Sequence, residues 1–492
     1  MSDNLYAGAS IQVYPGGGAT LSTPHGDVEA FLAYVGQFNA INFHAKDDDV
    51  REWRYNHQYD NWQDRLGMDS IKVFYHYGHC GMAADGRFVA GMGRTWDNTL
   101  QADSTRMSFG DQRLRYLFWH GCDSLQMHFG QNPFRSWAAS NKGARMIFGF
   151  DSLTYDVSGL AEGFFREWNT GKSFSQAWQD AALGTLRNHR PASTACGASA
   201  DEAQNRLWNE RLFEGAAVSD NWYWWRWAGP VPIEVNTDLR VPRSPLNLQL
   251  ERRSGDERTA ARIADRFGVR PMVAGIASPE SRQYGHAEDV LAGPRLVLLP
   301  DGTYHVFLAE PDRWAGTLDP EVAKELADQA LHELDVKVAL TFDGLTATHH
   351  AGASRAGDET ETVIGDYTAH YRQLYDGTPV ARGADGHISV TIDSGGSVCA
   401  IVDSTVAVVG ADEARPSDSD YTDVDHALEQ AAESLRKRLC DYAGGATEVV
   451  AVPDTRDVCY RLGRDSAVMV ARQDVEIRTN DYAIRQILEV VL

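Results

Sequence analysis

The sequence predicts an α/β fold: a mostly parallel sheet flanked by helices across residues 1–240, then an α+β domain across residues 246–492. Three observations predict it. Short runs that are apolar on both faces recur through the first half, each closed by Gly or Asp, as buried parallel strands require. Helical patterns follow these runs. The composition then changes near residue 245, since twelve of the 13 tryptophans lie before it and only Trp314 after it.

Residues 71–77 form the first apolar run, preceded by Gly67 and ended by Gly78. Residues 114–119 form the second, ended by Gly121, and residues 145–150 the third, ended by Asp151. Residues 159–169 and 173–186 read as helices, joined by Asn169-Thr170-Gly171-Lys172 with Ser173 as N-cap. In a doubly wound sheet the chemistry gathers at the carboxyl ends of the strands. Val241-Pro242-Arg243-Ser244-Pro245 reads as a linker, because paired prolines disfavour helix and withhold ladder donors. Beyond it, Asp319-Pro320 starts a helix expected to align Val322, Leu326, Ala330 and Leu334 on one face. Residues 371–374, 387–392 and 398–401 read as antiparallel strands, with Asp376-Gly377 and Ser394-Gly395-Gly396 as turns. Residues 424–439 read as a further amphipathic helix.

Composition narrows the function classes. Hydrophobic residues make up 43% and charged residues 23%, as in soluble globular chains. No apolar run reaches the roughly 18 residues of a membrane span. A net charge of −23 repels phosphate backbones, so neither nucleic acid nor a membrane is expected as a partner. The start, Met-Ser-Asp-Asn-Leu-Tyr, carries no secretory pattern. The six cysteines are scattered through a long chain, which favours free thiols and a cytoplasmic location.

The first strand runs into Tyr77-Gly78-His79-Cys80-Gly81 and the second into His120-Gly121-Cys122-Asp123. A histidine and a cysteine thus stand 43 residues apart at the carboxyl ends of two strands. A thiolate is a strong nucleophile, and a neighbouring imidazole lowers the thiol pKa and shuttles protons. Backbone N–H groups at Cys80, Gly81 and Gly121 are candidates for an oxyanion hole. Asp123 and Asp151, just beyond strand ends, are candidates to orient the histidine or line a substrate pocket. The segment Trp222-Tyr223-Trp224-Trp225-Arg226-Trp227 has two aromatic faces if extended, and Trp222, Trp224 and Trp225 are candidates for one wall of that pocket. The same segment equally suits a domain or subunit interface.

The order of these elements resembles the caspase-like cysteine peptidases. An apolar strand, Gly78-His79, a second strand, Cys122 and a third strand at 143–150 follow the pattern of that superfamily. The stretch 160–168, Gly171-Lys172-Ser173 and the alanine-rich 177–182 are similar to its bacterial members, nearest to an uncharacterised family. The resemblance covers roughly residues 65–190. It implies His79 as general base and Cys122 as nucleophile. Cys80 stands where glycine usually follows the histidine. In the second half, residues 371–380 followed by 388–401 resemble the propeptide module of thermolysin- and fungalysin-type proteases. No HExxH motif accompanies that module.

The same residues admit other readings. Cys122 is also a plain buried apolar residue in many folds. His76, His79, Cys80, His120, Cys122 and His128 offer N and S ligands for zinc, but an odd spacing on one strand points His76 and His79 to opposite faces. Tyr14-Pro15-Gly16-Gly17-Gly18 lacks both phosphate-loop patterns, and Asp47-Asp48-Asp49 lacks the closing Glu of a calcium loop. No metal or cofactor is therefore expected. The expected function is cysteine-dependent acyl transfer to water or an amine, on a peptide or small-molecule substrate. Two alternatives stay open: a non-hydrolytic cyclase or tailoring enzyme of small-molecule biosynthesis, and a catalytically silent binding protein. The oligomeric state is not legible.

Overall fold

The computed structural model describes residues 5–15, 20–185, 188–234, 246–280, 293–334, 336, 338–383, 385–413, 424–443, 448–453, 455–478 and 483–492. The linker expected at 241–245 and the whole glycine run at 16–18 lie outside these residues.

The first half contributes strands β1 (Tyr6–Ser10), β2 (Ile41–Lys46), β3 (Val73–Tyr77), β4 (Cys80–Met82), β5 (Phe88–Trp96), β6 (Thr99–Asp103), β7 (Tyr116–His120), β8 (Met146–Phe150), β9 (Pro191–Gly197) and β10 (Trp222–Val231). Its helices are α1 (Pro24–Val35), α2 (Asp60–Leu66), α3 (Pro133–Trp137), α4 (Leu160–Asn169), α5 (Phe174–Thr185) and α6 (Ala200–Asn209). The three apolar runs of the sequence are β3, β7 and β8, each buried along its whole length. They lie beside β1 and β2 in the order β2-β1-β3-β7-β8, all parallel. Successive side chains face opposite sides. Phe118 meets Phe148 at 4.3 Å and packs with Phe31 and Phe164 beneath α1 and α4. Trp119, one residue on, packs instead with Tyr55, Phe88 and Trp137.

The parallel order stops at β8. A single crossover helix returns a chain to the start of the sheet, whereas α4 and α5 pack as a pair and return it to the carboxyl end. β9 therefore runs antiparallel to β8, and β10 antiparallel to β9. The expectation of a mostly parallel sheet thus holds for the five-strand block alone. His79 is followed by a separate three-stranded sheet, β4-β5-β6.

The second half contributes β11 (Leu246–Glu251), β12 (Arg270–Val273), β13 (Arg295–Leu298), β14 (Tyr304–Phe307), β15 (Leu340–Ser354), β16 (Val363–Tyr375), β17 (Thr378–Pro379), β18 (His387–Asp393), β19 (Val398–Asp403), β20 (Ala407–Glu413), β21 (Glu448–Ala451), β22 (Asp457–Leu462), β23 (Ser466–Arg478) and β24 (Ala483–Val491). Its helices are α7 (Glu257–Phe267), α8 (Pro320–Glu333) and α9 (Val424–Ala443). β10 pairs with β15 from Trp222↔Ser354 to Val231↔Leu345, so strands of both halves form one mixed sheet. β11 and β20 to β24 form a second sheet.

The expected strands at 371–374, 387–392 and 398–401 are parts of β16, β18 and β19, paired antiparallel. Asp376 and Gly377 turn β16 into β17 at φ of 47° and 78°. Asp319 caps α8 by accepting from the Glu321 N–H at 2.9 Å. The buried line of α8 is Ala323, Ala327 and Leu331, however, with Leu326, Ala330 and Leu334 at its flank and Val322 exposed. Small alanines let the helix lie close on the sheet, so the contact line falls one residue from the larger side chains. Among the described residues no helix is long and apolar enough to cross a membrane.

Candidate functional site

The register Tyr77↔His120 sets β3 and β7 level at their carboxyl ends. His79 and Cys122 each follow two residues later, at matched positions beyond two adjacent parallel strands. The chain is tight between them. A Cβ on Gly121 would fall onto the Cys80 sulfur and within 2.9 Å of the Gly78 carbonyl oxygen. Only glycine lets the two strand ends approach this closely. Cys80 and Gly81 enter β4 and pair with Ala90 and Val89. Asp123, immediately after the candidate nucleophile, sits at φ 53°, a backbone conformation that non-glycine residues rarely hold.

His79 is buried. Its backbone N–H donates to the Tyr14 hydroxyl at 2.6 Å, and the two rings lie 4.7 Å apart. The Cys122 thiol is buried too, and its contacts go to Thr154 and Ala483 instead of His79. The Thr154 N–H donates to Sγ at 3.3 Å, and Sγ lies 3.4 Å from the Ala483 carbonyl oxygen. Burial pushes the thiol up to about 11, against the opposing hydrogen bonds of Thr154.

Ala483 opens β24, which docks on the segment after β8. The Arg485 N–H donates to the Thr154 carbonyl at 3.1 Å, and the Asp156 N–H donates to the Arg485 carbonyl at 2.9 Å. The Gln486 amide donates to Asp156 at 3.1 Å. On the neighbouring strand the Asp474 carboxylate accepts from the Tyr155 hydroxyl at 2.7 Å. The second sheet therefore covers the candidate nucleophile. Tyr14, Thr154, Asp156 and Ala483 carried no warning in the sequence, because each acts through backbone placement or long-range contact.

The other expected site residues divide. Burial raises both the Asp123 and the Asp151 carboxyls, the latter to about 7. Asp151 faces His128 at 3.0 Å and Arg190 at 3.7 Å, so its partners are the chain's own basic groups. Trp222, Trp224 and Trp225 do not reach the site. They pair with Gly197, Ala195 and Thr194 of β9, level with the amino end of β8, two strands beyond β7. This aromatic strand is the seam between the halves, and Trp224 lies flat on Gly352 of β15.

The histidines of the zinc alternative are dispersed. His76 meets the Tyr55 hydroxyl at 2.9 Å, and burial pushes its imidazole down to about 3. His120 lies on the other face, stacked at 3.6 Å on Tyr77 and 3.3 Å from Asp27. Among the described residues no three His, Cys, Asp or Glu side chains gather as a metal site.

A comparison with curated protein sequences finds no match. Residues 27–229, which hold β3, β7, His79 and Cys122, match the family model described as Domain of unknown function (DUF6345).

Proposed function

We propose that the chain is a cysteine-dependent acyl-transfer enzyme of caspase-like type, held latent by its own second half. The observation that carries this reading is the level placement of His79 and Cys122 beyond adjacent parallel strands, with Gly121 bringing the strand ends together. In the working form the Cys122 sulfur attacks a carbonyl carbon and its proton passes to His79. Backbone N–H groups beside Gly121 and Cys80 face the oxyanion that forms. Collapse gives a thioester on Cys122, and the leaving amine takes the proton from His79. Water or a second amine then releases the acyl group. The substrate is a peptide or small molecule, and the acidic surface steers cationic ones towards the site. Free buried cysteines suit a cytoplasmic setting.

The covered thiol is what a latent enzyme requires, and β24 reaches it through the Ala483 carbonyl, so release of β24 from residues 154–156 would remove that cover. The raised thiol pKa also favours a second reading, a silent binding protein with a vestigial pair. One experiment separates the two. Gln486→Glu sets a carboxylate against Asp156 and should release β24. The latent-enzyme reading predicts that this variant cleaves or ligates members of a peptide library, read by mass spectrometry, and that adding Cys122→Ala abolishes the products. No product with Gln486→Glu, or equal product with and without Cys122, overturns it.

A further inference from the structure

A second site lies away from the thiol, where α4, α5 and α6 face the sheet strands of the second half. There a cavity of about 170 Å³ opens between the length of α5, from Ser173 to Gly184, and strands β14, β16, β18 and β19. These strands carry two unlike faces. One is apolar, with Tyr304, Val306, Tyr367, Ala369, Ile388 and Val390 packed under α7 and α8. The other presents His305, Thr368, His370, His387 and Ser389 to the cavity. A sheet covered on both sides normally shows apolar residues on both. Polar side chains facing inward therefore mark a face kept for a ligand.

Among the described residues, particular atoms of His305, Arg226 and Arg313 have no hydrogen-bond partner, although the buried Asp366 carboxylate lies close enough to act on both arginines. His305 is 1% exposed, yet neither ring nitrogen has a hydrogen-bond partner, and its nearest carboxylate, Glu167, stands 3.9 Å away. Immediately behind the wall, Arg226 is also 1% exposed. It donates Nη1 to Gln176 at 2.8 Å, while Nε and Nη2 find no acceptor. At the mouth the Arg313 guanidinium lies 4.1 Å over Trp208, with its Nε unpartnered. Arg226 stands 4.7 Å from the same ring. Arg166, Lys172, Arg211 and Arg295 complete a cationic lining in a chain of net charge −23. Lys172 is already neutralised between Glu167 at 2.6 Å and Asp180 at 2.8 Å. The amino end of α5 adds its partial positive charge.

We propose that this cavity binds a small oxyanion, a carboxylate or a phosphate, held by guanidinium groups and the His305 imidazole, with Trp208 and Phe307 flanking its apolar body. A cation is disfavoured, since the buried carboxylates Glu167 and Asp180 already face Lys172, Asp366 already faces Arg226 and Arg313, and no metal cluster exists among the described residues. Burial pushes Arg226 and Arg295 down to about 10, a desolvation that an arriving anion relieves. The site stands apart from Cys122, so it is independent of the acyl-transfer reading.

The test uses the full chain and calorimetric titration at constant ionic strength. Inorganic phosphate and succinate are the two probes, with uncharged succinamide as control. The proposal predicts saturable binding of at least one oxyanion at up to about 10 mM, within the millimolar range of a weak site. Phosphate alone identifies a phosphate site, and succinate alone a carboxylate site. Arg313→Gln should weaken binding at least about tenfold, the scale of one charge-assisted contact. Glu310→Gln, at the exposed rim, leaves the core intact and should tighten binding severalfold. No saturable binding of either probe, or binding unchanged in both variants, overturns the proposal.

Discussion

Replacing Lys172 by Met tests the buried charge cluster that ties α4 to α5. The Lys172 ammonium is 6% exposed and contacts Glu167 at 2.6 Å and Asp180 at 2.8 Å. Burial alone would raise the Glu167 carboxyl. The Lys172 charge, helped by His305 and Arg166, outweighs it and holds the carboxyl well below the usual carboxylate range. Lys172 is held above its ordinary value, as burial is outweighed by Asp180 and Glu167. The Glu167 contribution is therefore present above the unfolded carboxylate pKa of roughly 4.3 and lost as pH falls through the lower folded value. The Lys172 contribution lasts up to roughly pH 10 and is lost only above it. Removing the ammonium leaves a buried carboxylate without its counter-charge, a change of roughly 3–5 kcal/mol. Urea midpoints of wild type and Lys172→Met should differ most near neutral pH. The gap should narrow towards acid, where the stranded Glu167 protonates. Adding Glu167→Leu should recover most of the loss, since an apolar pair removes the stranded charge. A Lys172→Met loss under about 1 kcal/mol at neutral pH, or a double variant no better than the single one, refutes the reasoning.

Three further outcomes follow from the geometry. Gly121→Ala drives a methyl into Cys80 and the Gly78 carbonyl and should lower stability by roughly 1–3 kcal/mol in thermal melts. Gly352→Ala sets a Cβ against the Trp224 ring and should loosen the β10–β15 seam by a similar amount, read as faster amide exchange along Trp222–Val231. In the wild-type chain at about pH 7.5, a Cys122 pKa of about 11 against roughly 8.5 for a free thiol lowers the thiolate fraction about 300-fold. The greater nucleophilicity of a basic thiolate offsets roughly tenfold of this, so iodoacetamide should label native Cys122 more than tenfold slower than in urea.

Three strands of the parallel block, β3, β7 and β8, were legible because they are short, apolar and closed by Gly78, Gly121 and Asp151, whereas β1 and β2 gave no such run. His79 and Cys122 could be placed from strand ends alone, since parallel neighbours bring their carboxyl ends together. β9 was not legible. Pro191-Ala-Ser-Thr-Ala-Cys-Gly is made of small residues that carry no periodic signal, although all seven are buried. The tryptophan strand suits pocket or seam in the sequence alone; its pairing partner β15, more than 100 residues on, carries no signal there. The cover over Cys122 was invisible because Ala483 lies 361 residues away and acts through its carbonyl oxygen. The oxyanion cavity left one faint trace. Tyr304-His305-Val306 and His387-Ile388-Ser389-Val390 alternate polar and apolar residues, which reads as an exposed face until the helices of the first half are found above it.

The most direct test of the central claim is the pH dependence of Cys122 alkylation in three proteins: wild type, Gln486→Glu, and Gln486→Glu with His79→Ala. Peptide mass spectrometry separates Cys122 from the other cysteines. The account predicts slow labelling in wild type, and in Gln486→Glu a rate that rises sharply with an apparent pKa below the roughly 8.5 of a free thiol. It predicts that His79→Ala removes that gain. A Cys122 that stays slow in Gln486→Glu, or that reacts equally fast without His79, would contradict it.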